Sequence, residues 1–271
     1  MINKESIRAV DNSVFGSHFS KPLYKSYCFS LIPQTIQNAF TGNSVGSLPK
    51  DVYGKFSKKY KKVILFFIDA FGWHFFSKYK NKYPFLKYFL KKGVVSKLTS
   101  QFPSTTANCV TCINTGLPVG ESGIYEWNYY EPKFDAIISP LLFSYSGKKV
   151  RDTLVPTGTA AKSILPNVTV YKKLKAIGVD SYIFQHSDYT PSAYSDVVFE
   201  GATKVFPYVS FSEALTNLVK THKEVTNPSY FFLYFDKVDG MGHKYGPTSP
   251  HFEAEVDTLL NTLNRLFLPE M

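Results

Sequence analysis

The sequence predicts an α/β fold whose mostly parallel sheet is covered by helices on both faces, and three observations carry that reading. Val63-Ile-Leu-Phe-Phe-Ile68 and Ser229-Tyr-Phe-Phe-Leu-Tyr-Phe235 are short, unbroken runs of β-branched and aromatic residues, the pattern of strands buried on both faces. Helical stretches alternate with such strands, which implies βαβ units. Both runs also stop abruptly at an acid, in Asp69-Ala-Phe-Gly72 and Asp236-Lys-Val-Asp239-Gly-Met-Gly-His243. That places polar chemistry at the carboxyl ends of parallel strands, where open α/β sheets bind ligands.

The chain has 271 residues, long enough for one large domain, and 44% hydrophobic with 17% aromatic content is globular rather than disordered. Its net charge of +10 comes largely from lysines clustered at 55–62 and 78–92 among Tyr and Phe. Such runs attract nucleic acid, acidic lipid or a phosphorylated small molecule, but they are more often solvated helix faces. Three cysteines, Cys28, Cys109 and Cys112, cannot form a disulfide framework, and one C-x-x-C lacks the second pair of a zinc ribbon. They are expected to be small buried residues. The N-terminus lacks the apolar stretch of a signal peptide and no window resembles a membrane span, so the default expectation is a cytoplasmic, reducing location.

Residues 1–60 carry no motif and are expected to wrap the core or roof a site, with a helical turn at Ile36–Phe40. Helices are expected at Trp73–Tyr79 and Pro84–Lys92, stopped by Gly93, and Val94–Thr99 reads as the next strand. Residues 117–150 are turn-rich and aromatic. Val170–Ile177 is helical up to Gly178, Ser181–Gln185 is a strand, and Ser210 or Ser212 caps a helix running through Leu218–Lys220. Gly240, Gly242, Gly246 and Pro247 argue against a helix, so Asp239 and His243 are expected to project from a loop. Ser249-Pro250 starts a last helix that packs back on the sheet.

Between the two apolar strands lies Gln101-Phe-Pro-Ser-Thr-Thr-Ala-Asn108, which passes into an apolar run ending at Thr115-Gly116. A Pro-imposed turn, small residues and a terminal Gly read as a hydroxyl carried at the start of a short helix. Unpaired N–H groups and the helix dipole favour an anion there. A plain Ser/Thr N-cap explains the same residues. Asp69 likewise reads either as a ligand-binding carboxylate or as a cap for the following helix.

Three blocks together resemble the type I phosphodiesterase/nucleotide pyrophosphatase family of the alkaline phosphatase superfamily. They are Ile-Leu-Phe-Phe-Ile-Asp69, then Phe-Pro-Ser-Thr-Thr with Asn-Thr-Gly-Leu-Pro-Val-Gly-Glu-Ser-Gly-Ile, then Asp239-Gly-Met-Gly-His243-Lys-Tyr-Gly-Pro247. The resemblance implies a single domain over 1–271, an αβα sandwich of three layers with the catalytic core at 61–271. It implies two divalent ions, zinc by preference, with Asp69 and the nucleophile on one and Asp239 and His243 on the other. The nucleophile is Thr106 by its offset from Thr115-Gly116, or Thr105 if the family's Thr-x-x-Asn spelling, with Asn108, governs. Asn128 stands near the family's phosphoryl-contacting asparagine. The implied reaction is hydrolysis of a phosphodiester or pyrophosphate in a nucleotide-like substrate through a phospho-threonine.

The family continues into an Asp-His-Gly block and a final histidine, which this chain does not reach by Met271. The expectation is therefore either a fragment of a longer protein, which is the preferred reading, or an incomplete metal site. Competing readings are a phosphomonoesterase or phosphonate hydrolase of the same superfamily, or an inactive relative that binds nucleic acid or another partner through its lysine-rich face. A sulfatase is disfavoured, because its nucleophile derives from cysteine or serine.

Overall fold

The computed structural model describes every residue except Ser17, His18, Lys58 and Lys149. In chain order the strands are β1 (Lys62–Ile68), β2 (Tyr129–Glu131), β3 (Ala136–Ser139), β4 (Ser144–Tyr145), β5 (Asp180–His186), β6 (Lys204–Tyr208) and β7 (Ser229–Phe235). The α-helices are α1 (Lys4–Asp11), α2 (Ile32–Thr41), α3 (Trp73–Tyr79), α4 (Pro84–Lys92), α5 (Thr106–Thr115), α6 (Val119–Ser122), α7 (Val170–Ala176), α8 (Ala193–Val198), α9 (Phe211–Glu224), α10 (Lys237–Tyr245) and α11 (Pro250–Thr262).

Four parallel strands form one sheet in the order β1-β7-β5-β6. All seven residues of β7 are buried, and its alternation divides the core. Tyr230, Phe232 and Tyr234 face a layer built from α2, α5, α7 and α8, with Ile36, Ile113, Tyr171 and Val198. Phe231, Leu233 and Phe235 face the other layer, with Leu86 of α4, Leu218 of α9 and Leu259 of α11. These are the three layers that the apolar runs predicted, and each fully buried side chain of this size contributes about 1.5–3 kcal/mol.

The ends of the helices follow local chemistry. Ser210 and Glu213 form a capping box at α9, and Gly42 and Gly116 close α2 and α5 in the left-handed region. The cysteines are buried and free. Residues 1–60 wrap the core through Ile36 and Phe40. Lys78 of the second lysine cluster pairs with Glu253 at 2.5 Å on the surface, whereas Lys58 of the first cluster lies outside the described residues.

Several expectations need correction. β1 is an edge strand of the described sheet, paired with β7 along one side, so its residues are only partly buried although both its faces are covered, Val63, Leu65 and Phe67 packing on one layer and Ile64, Phe66 and Ile68 on the other. Val94–Thr99 is not a sheet strand, because it makes only isolated bridges to the N-terminal segment, Ile2 with Val95 and Cys28 with Thr99. Asp239 and His243 stand on a helix, not a loop. Isolated glycines cost about 1 kcal/mol each in a helix, and tertiary packing outweighs that here. Val238 is buried in the core, and α10 packs at Gly242 against the Phe252 ring of α11. The small antiparallel sheet β2-β3-β4, together with β6 and α8, lies in stretches whose short, mixed residue runs carried no periodicity.

Gly201 has φ +98°, and a Cβ there would come within 2.8 Å of the Lys172 backbone nitrogen. Gly201→Ala is expected to destabilise the fold by about 1–3 kcal/mol, and Phe231→Ala by about 3–5 kcal/mol. Urea unfolding midpoints at constant slope measure both.

Candidate active site

Parallel pairing of β1 with β7 sets Ile68 level with Phe235, and the Asp69 N–H extends the ladder to the Phe235 carbonyl at 2.9 Å. The residues after the two strands, Asp69 and Asp236, therefore emerge side by side at the carboxyl edge of the sheet. Helix α3 starts at Trp73 with Gly72 as its N-cap, so Asp69 is not spent on capping. One of its oxygens, Oδ1, accepts the Ala70 N–H at 3.0 Å, with Ala70 at φ 60°. The other, Oδ2, accepts the Tyr234 hydroxyl at 2.7 Å and the Thr106 hydroxyl at 3.1 Å.

The two adjacent threonines have different duties. Thr105 is the N-cap of α5: its Oγ1 accepts the Asn108 N–H at 3.5 Å and donates to the Tyr125 carbonyl at 3.2 Å. Thr106 is the first helical residue. Its hydroxyl points its proton at Asp69, and the N–H groups of the first turn have no acceptor inside the helix. One turn along α10, Asp239 and His243 share a helix face, with Oδ2 and Nε2 3.5 Å apart. Asp69, Thr106, Asp239 and His243 all line a single cleft of about 650 Å³, a size typical of small-molecule sites.

Asn108 and Asn128 are not brought to this cleft. Asn108 is fully buried and committed to the loop, donating to the Pro103 carbonyl and lying 3.4 Å from the Gln101 amide nitrogen. Asn128 accepts the Ser139 hydroxyl at 2.5 Å and is absent from the lining. Asp236, Tyr189 and Tyr234 do line it, and the sequence reading did not single them out. Asp236 follows its strand as Asp69 follows β1, so the same rule would have found it. Tyr189 carries no such signal, since tertiary packing alone brings its hydroxyl to Asp236 at 2.6 Å.

The cleft floor is crowded with carboxylates. Burial, then the charges of Asp69 and Asp236, hold the Asp239 carboxyl above its ordinary value, and only His243 opposes them. The Oδ1 atom of Asp236 is buried without a hydrogen-bond partner, with the Lys237 ammonium 3.8 Å away. Burial and the two aspartates also push the Tyr189 and Tyr234 hydroxyls upward. Among the described residues no three His, Cys, Asp or Glu side chains gather as one metal-ligand cluster. The donors come as pairs, Asp69 with Thr106 and Asp239 with His243. Their oxygen and imidazole chemistry suits divalent cations, and a cation would relieve the crowding of carboxylates. The residues present therefore fit such ions as partial ligand sets.

A model of the family described as type I phosphodiesterase / nucleotide pyrophosphatase matches residues 63–268. The chain is 26% identical over 207 residues to the venom phosphodiesterase CdcPDE of Crotalus durissus collilineatus, covering 75% of this chain and 23% of that protein. Its fold is similar to murine ectonucleotide pyrophosphatase / phosphodiesterase 5, with a TM-score of 0.57 and 22% identity, covering 76% of this chain and 51% of that one. The structure of an inactive threonine-to-alanine variant of the murine protein, in complex with AMP, has the same TM-score at 21% identity. The chain thus spans about half of the solved relative and a quarter of the venom protein. The match runs from β1 through α11 and includes all four residues that meet in the cleft, and the chain belongs to the type I phosphodiesterase / nucleotide pyrophosphatase family.

Proposed function

We propose that the protein hydrolyses a phosphodiester or pyrophosphate bond in a nucleotide-type substrate, with Thr106 as nucleophile. The observation that carries this reading is the Thr106 hydroxyl, held at the start of α5 and hydrogen-bonded to Asp69 in the cleft that Asp239 and His243 also line. The venom phosphodiesterase similarity supports the reaction class. AMP in the inactive threonine variant of the murine relative supports both the substrate type and the role of a threonine.

Asp69 and Thr106 would hold one divalent cation and Asp239 and His243 a second, zinc being the best match to mixed oxygen and imidazole donors. When bound, such ions lower the pKa of a hydroxyl and neutralise charge on phosphoryl oxygens. The chain's own groups do the rest. Asp69 orients the Thr106 Oγ1 and turns its lone pairs toward the cleft. Backbone N–H groups at the start of α5 receive the phosphoryl oxygens, where donors aimed at developing charge are most effective. A bond forms from Thr106 Oγ1 to phosphorus while the bond to the leaving oxygen breaks. Water then releases the phosphoryl group from the threonine.

Thr106→Ala is expected to lower kcat on p-nitrophenyl thymidine monophosphate by at least about 10³-fold, in line with loss of a nucleophile. Thr105→Ala should retain most of kcat while losing about 1 kcal/mol of stability, the usual cost of a lost cap. Steady-state rates beside urea melts separate the two threonines, and the opposite pattern would move the nucleophile to Thr105. Chelation of divalent ions should abolish turnover, and added zinc should restore it. Turnover that persists in chelator would overturn the metal assignment.

A further inference from the structure

Residues 52–120 carry twelve lysines, no arginine and a single acid, Asp69. Over the rest of the chain basic and acidic residues nearly balance, so the net charge of +10 belongs to this stretch. Folding gathers part of it into one ridge. On α4, Phe85 and Leu86 are buried in the core, whereas Lys87, Tyr88, Lys91 and Lys92 are exposed. The Phe89 ring lies against Gly93, where an added Cβ would be 3.4 Å from it. The next residue, Val94, reaches Gly54, where an added Cβ would be 2.9 Å from Val94 Cγ2. The exposed turn at Lys55-Phe56 therefore stands beside the end of α4, and the Tyr53 carbonyl holds it by accepting the Phe56 N–H at 2.9 Å.

Two features separate this ridge from an ordinary solvated lysine face. Its charges are uncompensated. Lys78 and Lys97 of the same stretch pair with Glu253 and Asp11, but Lys55, Lys87, Lys91 and Lys92 form no ion pair among the described residues. Apolar surface is also left open among them. Phe56 is 40% exposed, Tyr88 44% and Phe89 38%, although lysine stems ordinarily cover such surface. Lysines attract an anionic surface and rings enter its headgroup boundary, a pairing used by proteins that lie on membranes. Single-stranded nucleic acid would use the same lysines, but it tracks a groove, and here the charges sit on the outer face of a helix and on a turn. No helix among the described residues is long and apolar enough to cross a membrane, so the contact is peripheral.

We propose that this ridge docks the protein on an anionic phospholipid surface, with Lys55, Lys87, Lys91 and Lys92 over the headgroups and Phe56 and Tyr88 entering the boundary. The proposal is independent of the hydrolase reading. The 55–61 segment leads into Lys62 at the start of β1, and Asp69 follows the other end of that strand, about 20 Å away at the usual rise per residue. Docking through this ridge therefore leaves the cleft clear of the bilayer.

Flotation of the full chain with vesicles tests it, comparing phosphatidylcholine alone with equal parts of phosphatidylcholine and phosphatidylglycerol. Binding to the mixed vesicles is expected to be at least about ten times tighter than to the neutral ones, and to weaken as salt is raised. Lys91→Glu with Lys92→Glu should weaken it by about ten-fold or more. Lys175→Glu with Lys204→Glu changes the net charge equally at exposed sites outside the stretch, and should weaken it by less than about two-fold. Phe56→Ser should weaken it by about three-fold even in high salt, because transfer of apolar surface is not screened. Urea melts establish that each variant is folded. Failure to bind the mixed vesicles, equal binding to the neutral ones, or equal losses in the two charge-reversal variants would overturn the proposal. So would tighter binding to a single-stranded oligonucleotide than to the mixed vesicles, which would make the ridge a nucleic-acid surface.

Discussion

The in-register pairing of β1 with β7 is the constraint from which the site follows. Parallel neighbours lie about 4.8 Å apart, and matching Ile68 to Phe235 makes both strands end at one level. A slip of one residue would turn every β7 side chain to the opposite face. It would exchange Tyr234, which supports Asp69, for Phe235, which packs in the other layer. The register is held by burial: β7 hides aromatic and aliphatic side chains on both faces, so its alternatives are costly. Asp69 and Asp236 are thus brought together by a hydrophobic strand whose own chemistry has nothing to do with phosphate.

That juxtaposition carries an electrostatic cost. Three carboxylates share the floor, one with a buried oxygen that no hydrogen bond reaches, and burial and its neighbours hold the Asp239 carboxyl above its ordinary value. Such crowding is a common mark of functional sites, where groups are held in arrangements that stability alone would not choose. The long-range field of the lysine-rich surface works in the opposite direction, drawing anions toward the molecule.

The Thr105-Thr106 pair shows how one helix start serves structure and chemistry together. A capping residue must turn its oxygen back to the helix N–H groups, so the hydroxyl that caps cannot also face the cleft. The next residue is already helical, and its side chain projects outward toward Asp69. Asn108 braces the same turn from inside through the Pro103 carbonyl and Gln101, which explains why an asparagine three residues after the cap is spent on rigidity.

By itself the sequence determined the layer architecture, the two strands and the acids that end them, because unbroken apolar runs of that length need apolar layers on both faces. Helices α3 and α4 and the start of α5 were equally legible, since Pro, Gly and Ser/Thr act through local backbone chemistry. Tertiary structure alone decided the rest. Glycines in 237–245 signal a loop when propensity is summed locally, yet in the packed chain α10 is a helix, with Val238 buried and Asp239 and His243 on one face. Tyr189, Glu126 and Trp127 reach the cleft from segments far apart in the chain. Local rules reach only a few residues along the chain, whereas a cleft is assembled by packing between distant segments.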